Sequence, residues 1–137
     1  AQCPNLYFQG HKPPSELWKY YSWFDVVLAP YQRRDSLRGG KGDTSRWMSP
    51  MKIFEYMSFG KAIVASDLPV VREVLKDGVN CRLVTPDSVE EWVKALVDLE
   101  RSPTTRSQLG ATAFREFLQS HTWDARAALV LHGLLGK

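Results

Sequence analysis

The sequence predicts a doubly wound α/β domain: a parallel, Rossmann-like sheet with helices on both faces. Three observations predict it. Short apolar runs alternate with longer amphipathic stretches, the pattern of strands feeding helices. The apolar runs are rich in Val, Ile and Ala and only four or five residues long, as strands buried on both faces are. Gly and Pro punctuate nearly every change of period. With 137 residues, the chain is long enough for one domain with its own core.

The elements follow in order. Asn5 to Phe8 is expected to be a first strand, ended by Gly10. The run Asn5 to Gly10 is also close to a protease recognition sequence carried by recombinant tags. Pro4 stands where that sequence has an acidic residue, and the apolar run is read as native. Pro13 and Pro14 introduce a helix from about Ser15 to Trp23, and Asp25 to Ala29 is a strand closed by Pro30. A long polar segment, Gln32 to Met48, leads to a helix from Ser49 and Pro50 to about Ser58, with Gly60 at a left-handed cap. Ala62 to Ala65 is the next strand. Asp67 and Pro69 then open a helix reaching Lys76 before Asp77 and Gly78 end it. Asn80 to Val84 is a fourth strand. Asp87 with Glu90 three residues on predicts a capping box, followed by one apolar face from Val89 through Leu99. Helices from about Thr104 to Gln119 and Trp123 to Leu135 complete the chain. Four strands are fewer than the five or six usual for this class, so further strands are expected on the N-terminal side.

Composition narrows the function classes. The chain is 44% hydrophobic and 24% charged, and sixteen aromatic residues exclude a disordered chain. No apolar run nears the roughly 20 residues of a membrane span, and no signal-peptide stretch opens the sequence, so a cytoplasmic location is expected. Cys3 and Cys81 are expected as free thiols, which excludes disulfide scaffolds and zinc ribbons. His11, His121 and His132 show no metal-ligand spacing, and no metal or other cofactor is expected.

The net charge is +3, and it is local. Between Gln32 and Met48, Arg33, Arg34, Arg38, Lys41 and Arg46 face only Asp35 and Asp43, so this segment holds the whole excess. The segment follows a strand's carboxyl end, where doubly wound sheets bind ligands. It reads as a cationic flap over an anionic ligand, or as a solvated loop. The next helix discriminates between the two. Ser49 is a good N-cap and Pro50 suits the first helical position, but Lys52 then falls in the first turn, where the helix dipole repels a cation. A lysine there makes sense if an anion occupies the helix N-terminus. Glu55, one turn on, shares a face with Met51 and Lys52. A surface pair of Lys52 with Glu55 is the structural alternative, worth at most about 0.5 kcal/mol.

The run Ser49-Pro50-Met51-Lys52-Ile53-Phe54-Glu55 through Gly60 to Pro69, then Arg72-Glu73-Val74-Leu75 and Asp77-Gly78-Val79-Asn80, resembles the donor-binding domain of retaining glycosyltransferases of family 4, with the GT-B fold. Gly10, Asp25 to Pro30, Leu83 to Pro86 and Trp123 fall in the family's order at roughly its spacing, so the resemblance covers nearly the whole chain. It implies that Ser49, Met51 and Lys52 receive the diphosphate of a nucleotide sugar. Glu55 would hold the ribose hydroxyls, and Gly10, His11 and Lys12 would lie where the base packs. Lys52 is then the candidate stabiliser of the leaving group. In the family a second glutamate, contacting the donor sugar, stands eight positions before this one. Here that position is Trp47, which cannot accept hydrogen bonds but can stack on a pyranose. Asp43 is an alternative source of a carboxylate.

The resemblance further implies a UDP-sugar or GDP-sugar donor and retention of anomeric configuration. The acceptor would belong to envelope polysaccharide or glycolipid synthesis, made by a parent enzyme associated peripherally with the inner face of the membrane. Residues 1–137 match only the later part of a second GT-B domain, so the chain is expected to be a partial domain, inactive alone. Its partner would be an N-terminal acceptor domain, with the last helices, about 104–137, packing on the domain or towards that partner. No nucleic-acid partner is expected. The alternatives are a nucleotide-binding fragment without catalysis and part of a GT-B sugar-nucleotide epimerase. A phosphoacceptor receiver domain fits worst, since Asp25 lies at the wrong end of its strand.

Overall fold

The computed structural model describes residues 3–32 and 51–135. Trp47, Ser49, Pro50 and all five cations of the Gln32–Met48 segment lie outside the described residues. Among those described, three strands form one parallel sheet in the order β1-β2-β3: β1 (Val26–Ala29), β2 (Ala62–Ser66) and β3 (Arg82–Val84). Val26 pairs with Ala62 and Val64 with Arg82, so every strand runs the same way.

The central strand explains the layering. All five residues of β2 are buried, and their side chains alternate between two cores. Ile63 and Ala65 pack with Val27, Ile53, Met57, Val71 and Leu75 on one face. On the other, Ala62 and Val64 pack with Val84, Ala95, Leu99 and Leu109. Helices α1 (Pro14–Trp23) and α2 (Met51–Ser58) cover the first face and α4 (Val89–Arg101) the second. Helix α5 (Pro103–Glu116) serves both, giving Leu109 to one core and Ala113 to the other.

Local chemistry sets most boundaries. Pro13 is extended and Pro14 occupies the first position of α1, where a missing N–H costs nothing. Helix α2 ends at Gly60, whose φ of +62° suits glycine and whose N–H reaches the Met57 carbonyl at 3.0 Å. The same turn lies close against α5. A Cβ added at Gly110 would come 2.2 Å from the Gly60 carbonyl oxygen.

Several expectations are corrected. Asn5 to Phe8 forms no strand: Leu6, Tyr7 and Phe8 are exposed, and the free edge of β1 carries no partner among the described residues. Among the described residues the sheet thus has three strands, not the four expected. Helix α3 (Pro69–Arg72) stops four residues short of Lys76 because a side chain intercepts its hydrogen bonds. The buried Asn80 Oδ1 accepts the Lys76 N–H at 2.7 Å, while its Nδ2 donates to the Val74 carbonyl at 3.2 Å and to Glu116 Oε2 at 2.5 Å. Strand β3 correspondingly begins at Arg82, after a turn in which the Gly78 N–H bonds the Cys81 carbonyl. The cap of α4 is Ser88, not Asp87. Its Oγ accepts the Glu91 N–H, and the Glu91 carboxylate takes the Thr85 N–H and hydroxyl at 2.7 and 3.0 Å. Ser102 caps α5 through the Thr105 N–H, and α5 runs into a single π-helical turn, Phe117–His121. Thr122 Oγ1 then caps α6 (Trp123–Leu135) through the Ala125 N–H.

Candidate functional site

Parallel strands connected through antiparallel helices bring the N-terminus of α2 to the carboxyl edge of the sheet. Three residues of α2, Ile53, Tyr56 and Met57, face the core at i, i+3 and i+4. The Tyr56 hydroxyl donates to the Leu28 carbonyl in β1 at 3.1 Å. This anchorage fixes which way the opposite side of α2 looks. Met51, Lys52 and Glu55 are all exposed there, within the first turn and a half.

Lys52, Glu55 and Phe59 share one stripe, at i, i+3 and i+7, on the side of α2 that meets α1. Tyr21 of α1 stands against that stripe, its ring 4.8 Å from Phe59 and 5.6 Å from Tyr56. Its hydroxyl donates to Glu55 Oε2 at 3.3 Å. Burial, then the Glu55 charge and hydrogen bond, raises the Tyr21 pKa above its ordinary value. Tyr56 is pushed up to about 12, chiefly by burial with the neighbouring phenols and Glu55 adding to it. Both phenols are therefore protonated at neutral pH, and Tyr21 is a donor towards the carboxylate.

On its other flank α2 borders a cavity of about 300 Å³ whose lining includes Met51, Phe54, Glu55, His121, Trp123 and Arg126. The Phe54 ring lies 5.1 Å from His121, and the Arg126 guanidinium sits 5.8 Å from its centre. Burial, and next the Arg126 cation, lowers the His121 pKa below its ordinary value. Among the described residues the cavity thus combines aromatic faces with a carboxylate and a cation, an arrangement that can stack on a ring and hydrogen-bond its edge.

The structure brings Met51, Lys52 and Glu55 together, two of them on the cavity. Gly10, His11 and Lys12 do not line that cavity. Gly10 has φ +65° with open space where a Cβ would be, His11 is exposed, and Lys12 Nζ lies 5.6 Å from the Tyr20 ring of α1. A larger cavity, about 820 Å³, runs between residues 5–9 and α1, bordered by Tyr20, Trp23 and Phe24. It includes neither Lys52 nor Glu55. Ser49 and Trp47 fall outside the described residues. Sequence reasoning missed Tyr21, His121 and Arg126. A signal existed for the first, because Tyr21 follows Leu17 by one helical turn on the buried stripe of α1, where a phenol needs a hydrogen-bond partner.

Asp25 lies at the opposite, amino end of β1. Arg106 of α5 approaches it at 3.6 Å while donating to the Leu99 carbonyl at 2.8 Å, which ties the α4–α5 corner to the sheet. Among the described residues no group of three or more His, Cys, Asp or Glu gathers as metal ligands, and no helix is long and apolar enough to cross a membrane.

Two solved structures share this architecture. A sucrose-phosphate synthase from Thermosynechococcus elongatus matches over 95% of this chain with a TM-score of 0.73 and 17% identity. The structure of HepE from Anabaena, in complex with UDP, matches over 87% with a TM-score of 0.69 and 18% identity. The matched part is 30% of the first chain and 29% of the second, so this chain spans under a third of either. No curated protein matches the sequence. Residues 2–132 match the family described as glycosyl transferase-like. With its parallel sheet, helices on both faces and a family match over nearly its whole length, the chain belongs to the glycosyl transferase-like family, as a domain of GT-B architecture.

Proposed function

We propose that this chain is the donor-binding domain of a retaining, family 4 hexosyltransferase and binds a nucleotide diphosphate sugar across the N-terminus of α2. The observation that carries this is the exposed set Met51, Lys52 and Glu55 on the first turn and a half of one helix at the carboxyl edge of the sheet. The Met51 and Lys52 N–H groups, the helix dipole and the Lys52 ammonium favour a diphosphate there. Glu55, 4.5 Å further along the axis at about 1.5 Å per residue, accepts hydrogen bonds from the two vicinal ribose hydroxyls.

The same groups serve transfer. As the bond from the anomeric carbon to the diphosphate breaks, negative charge grows on the departing oxygens. Oriented N–H groups and a fixed cation stabilise that charge without reorganising. Ser49 would add its hydroxyl and Trp47 its face to the pyranose, and Gly10, His11 and Lys12 would border the base. The donor is UDP- or GDP-linked. The acceptor is a polysaccharide, glycolipid or other intermediate held by a preceding domain, against which the apolar residues of α6 would pack. We place the parent enzyme in the cytoplasm, at the inner membrane face.

Calorimetric titration with UDP, GDP and ADP tests the reading. Saturable binding of at least one is expected, and Glu55→Ala should weaken it at least tenfold, about 1.4 kcal/mol. No saturable response to any of the three would overturn it. The span of under a third of either solved neighbour favours a second reading for the chain by itself, nucleotide binding without turnover. Transfer activity from the isolated chain would refute that.

A further inference from the structure

We propose that Tyr21 is a positioning residue for nucleotide recognition, holding the Glu55 carboxylate in its ribose-accepting orientation before any ligand arrives. The inference rests on the reading of Glu55 given above. Its observation is a single long-range contact: the Tyr21 hydroxyl, from α1, reaches Glu55 Oε2, 34 residues away on α2, at 3.3 Å.

The two partners differ in mobility. Glu55 is exposed and has three rotatable side-chain bonds, so an unrestrained carboxylate would sample several rotamers, including one directed at Lys52 a turn earlier. Tyr21 is only 8% exposed and has two. Its ring is enclosed by Phe24 at 6.3 Å and 73°, Tyr56 at 5.6 Å and 78°, and Phe59 at 4.8 Å. A side chain so enclosed cannot follow the carboxylate, so the carboxylate conforms to the phenol. No other hydrogen bond to the Glu55 carboxylate is present among the described residues.

The geometry also leaves capacity for a ligand. An ionised carboxylate offers about four acceptor positions and Tyr21 takes one, on Oε2. Oε1 stays unengaged by described residues and can accept from a vicinal diol. Ordering Glu55 in advance removes a cost that binding would otherwise meet, and a rotamer-rich side chain carries roughly a 3- to 10-fold effect on affinity. A tyrosine that served the core alone would need its ring and some partner for its hydroxyl, not this carboxylate in particular.

Tyr21→Phe separates these roles, since it keeps the ring and removes the hydroxyl. The experiment measures dissociation constants of UDP and GDP and of their 2′-deoxy forms for the wild-type chain, Tyr21→Phe, Glu55→Ala and the double variant, with thermal melts alongside. Wild type should favour the ribonucleotide. Tyr21→Phe should weaken the ribonucleotide about 3- to 10-fold and the 2′-deoxy form, which keeps one of the two hydroxyls, by less, and should do nothing further once Glu55 is Ala. If Tyr21→Phe weakens both forms equally, or neither, while Glu55→Ala abolishes the preference for ribose, Tyr21 is not a positioning residue and the Glu55 reading stands. If Glu55→Ala leaves the preference intact, the ribose reading itself fails and this proposal with it.

Discussion

Helices α5 and α6 follow one another in the chain and have opposite fates. Helix α5 is rich in Thr, Arg, Ser and Gln, yet Leu109, Gly110 and Ala113 are buried and it reaches both cores. Helix α6 is the more apolar of the two, yet none of its described side chains is buried. Trp123 is 81% exposed, Leu129 76% and Leu134 70%. Burial is decided by which surfaces meet, and a few well-placed small and apolar residues suffice for α5. Helix α6 carries apolar surface that the described residues leave uncovered.

The largest test of that contrast is Gly110→Ala. The added methyl would collide with the Gly60 backbone, which cannot rotate away as a side chain could. A loss of about 3 kcal/mol or more in denaturant unfolding is expected, the upper end for overpacking. Leu109→Ala should follow, at about 2–4 kcal/mol for a cavity beneath α5, against a change within about 0.5 kcal/mol for Leu129→Ala in α6. Equal losses at the two leucines would show that the α6 face is covered in solution and would break the contrast. Smallest, and opposite in sign, is Gly133→Ala. Nothing lies within 4 Å of the new methyl, so the helix should gain about 0.5–1 kcal/mol by the same measurement.

The parts of the fold legible in the sequence are those whose cause is local. β2 is read from its own four or five apolar residues, and the end of α2 from Gly60. The exposed triad of Met51, Lys52 and Glu55 is read from helical spacing alone. What was not legible depends on partners distant in sequence or on competition between neighbours. α3 is cut short by Asn80, eight residues beyond Arg72 and itself bonded to Glu116. Ser88 displaces Asp87 as a cap because Glu91 is engaged by Thr85. Asn5 to Phe8 has the composition of a strand, but a strand needs an adjacent ladder, and composition cannot supply one. Tyr21 belongs with these, since its role on Glu55 exists only once α1 lies beside α2.

The register of the sheet bears on how the domain assembles. Val64 and Arg82 pair across 18 residues, whereas Val26 and Ala62 pair across 36. Closing the longer loop costs about 0.6 kcal/mol more in chain entropy, by the logarithmic dependence on loop length. The β2–β3 half is therefore the less costly nucleus. The strand that leads towards α2 joins a platform already built by the residues that follow it.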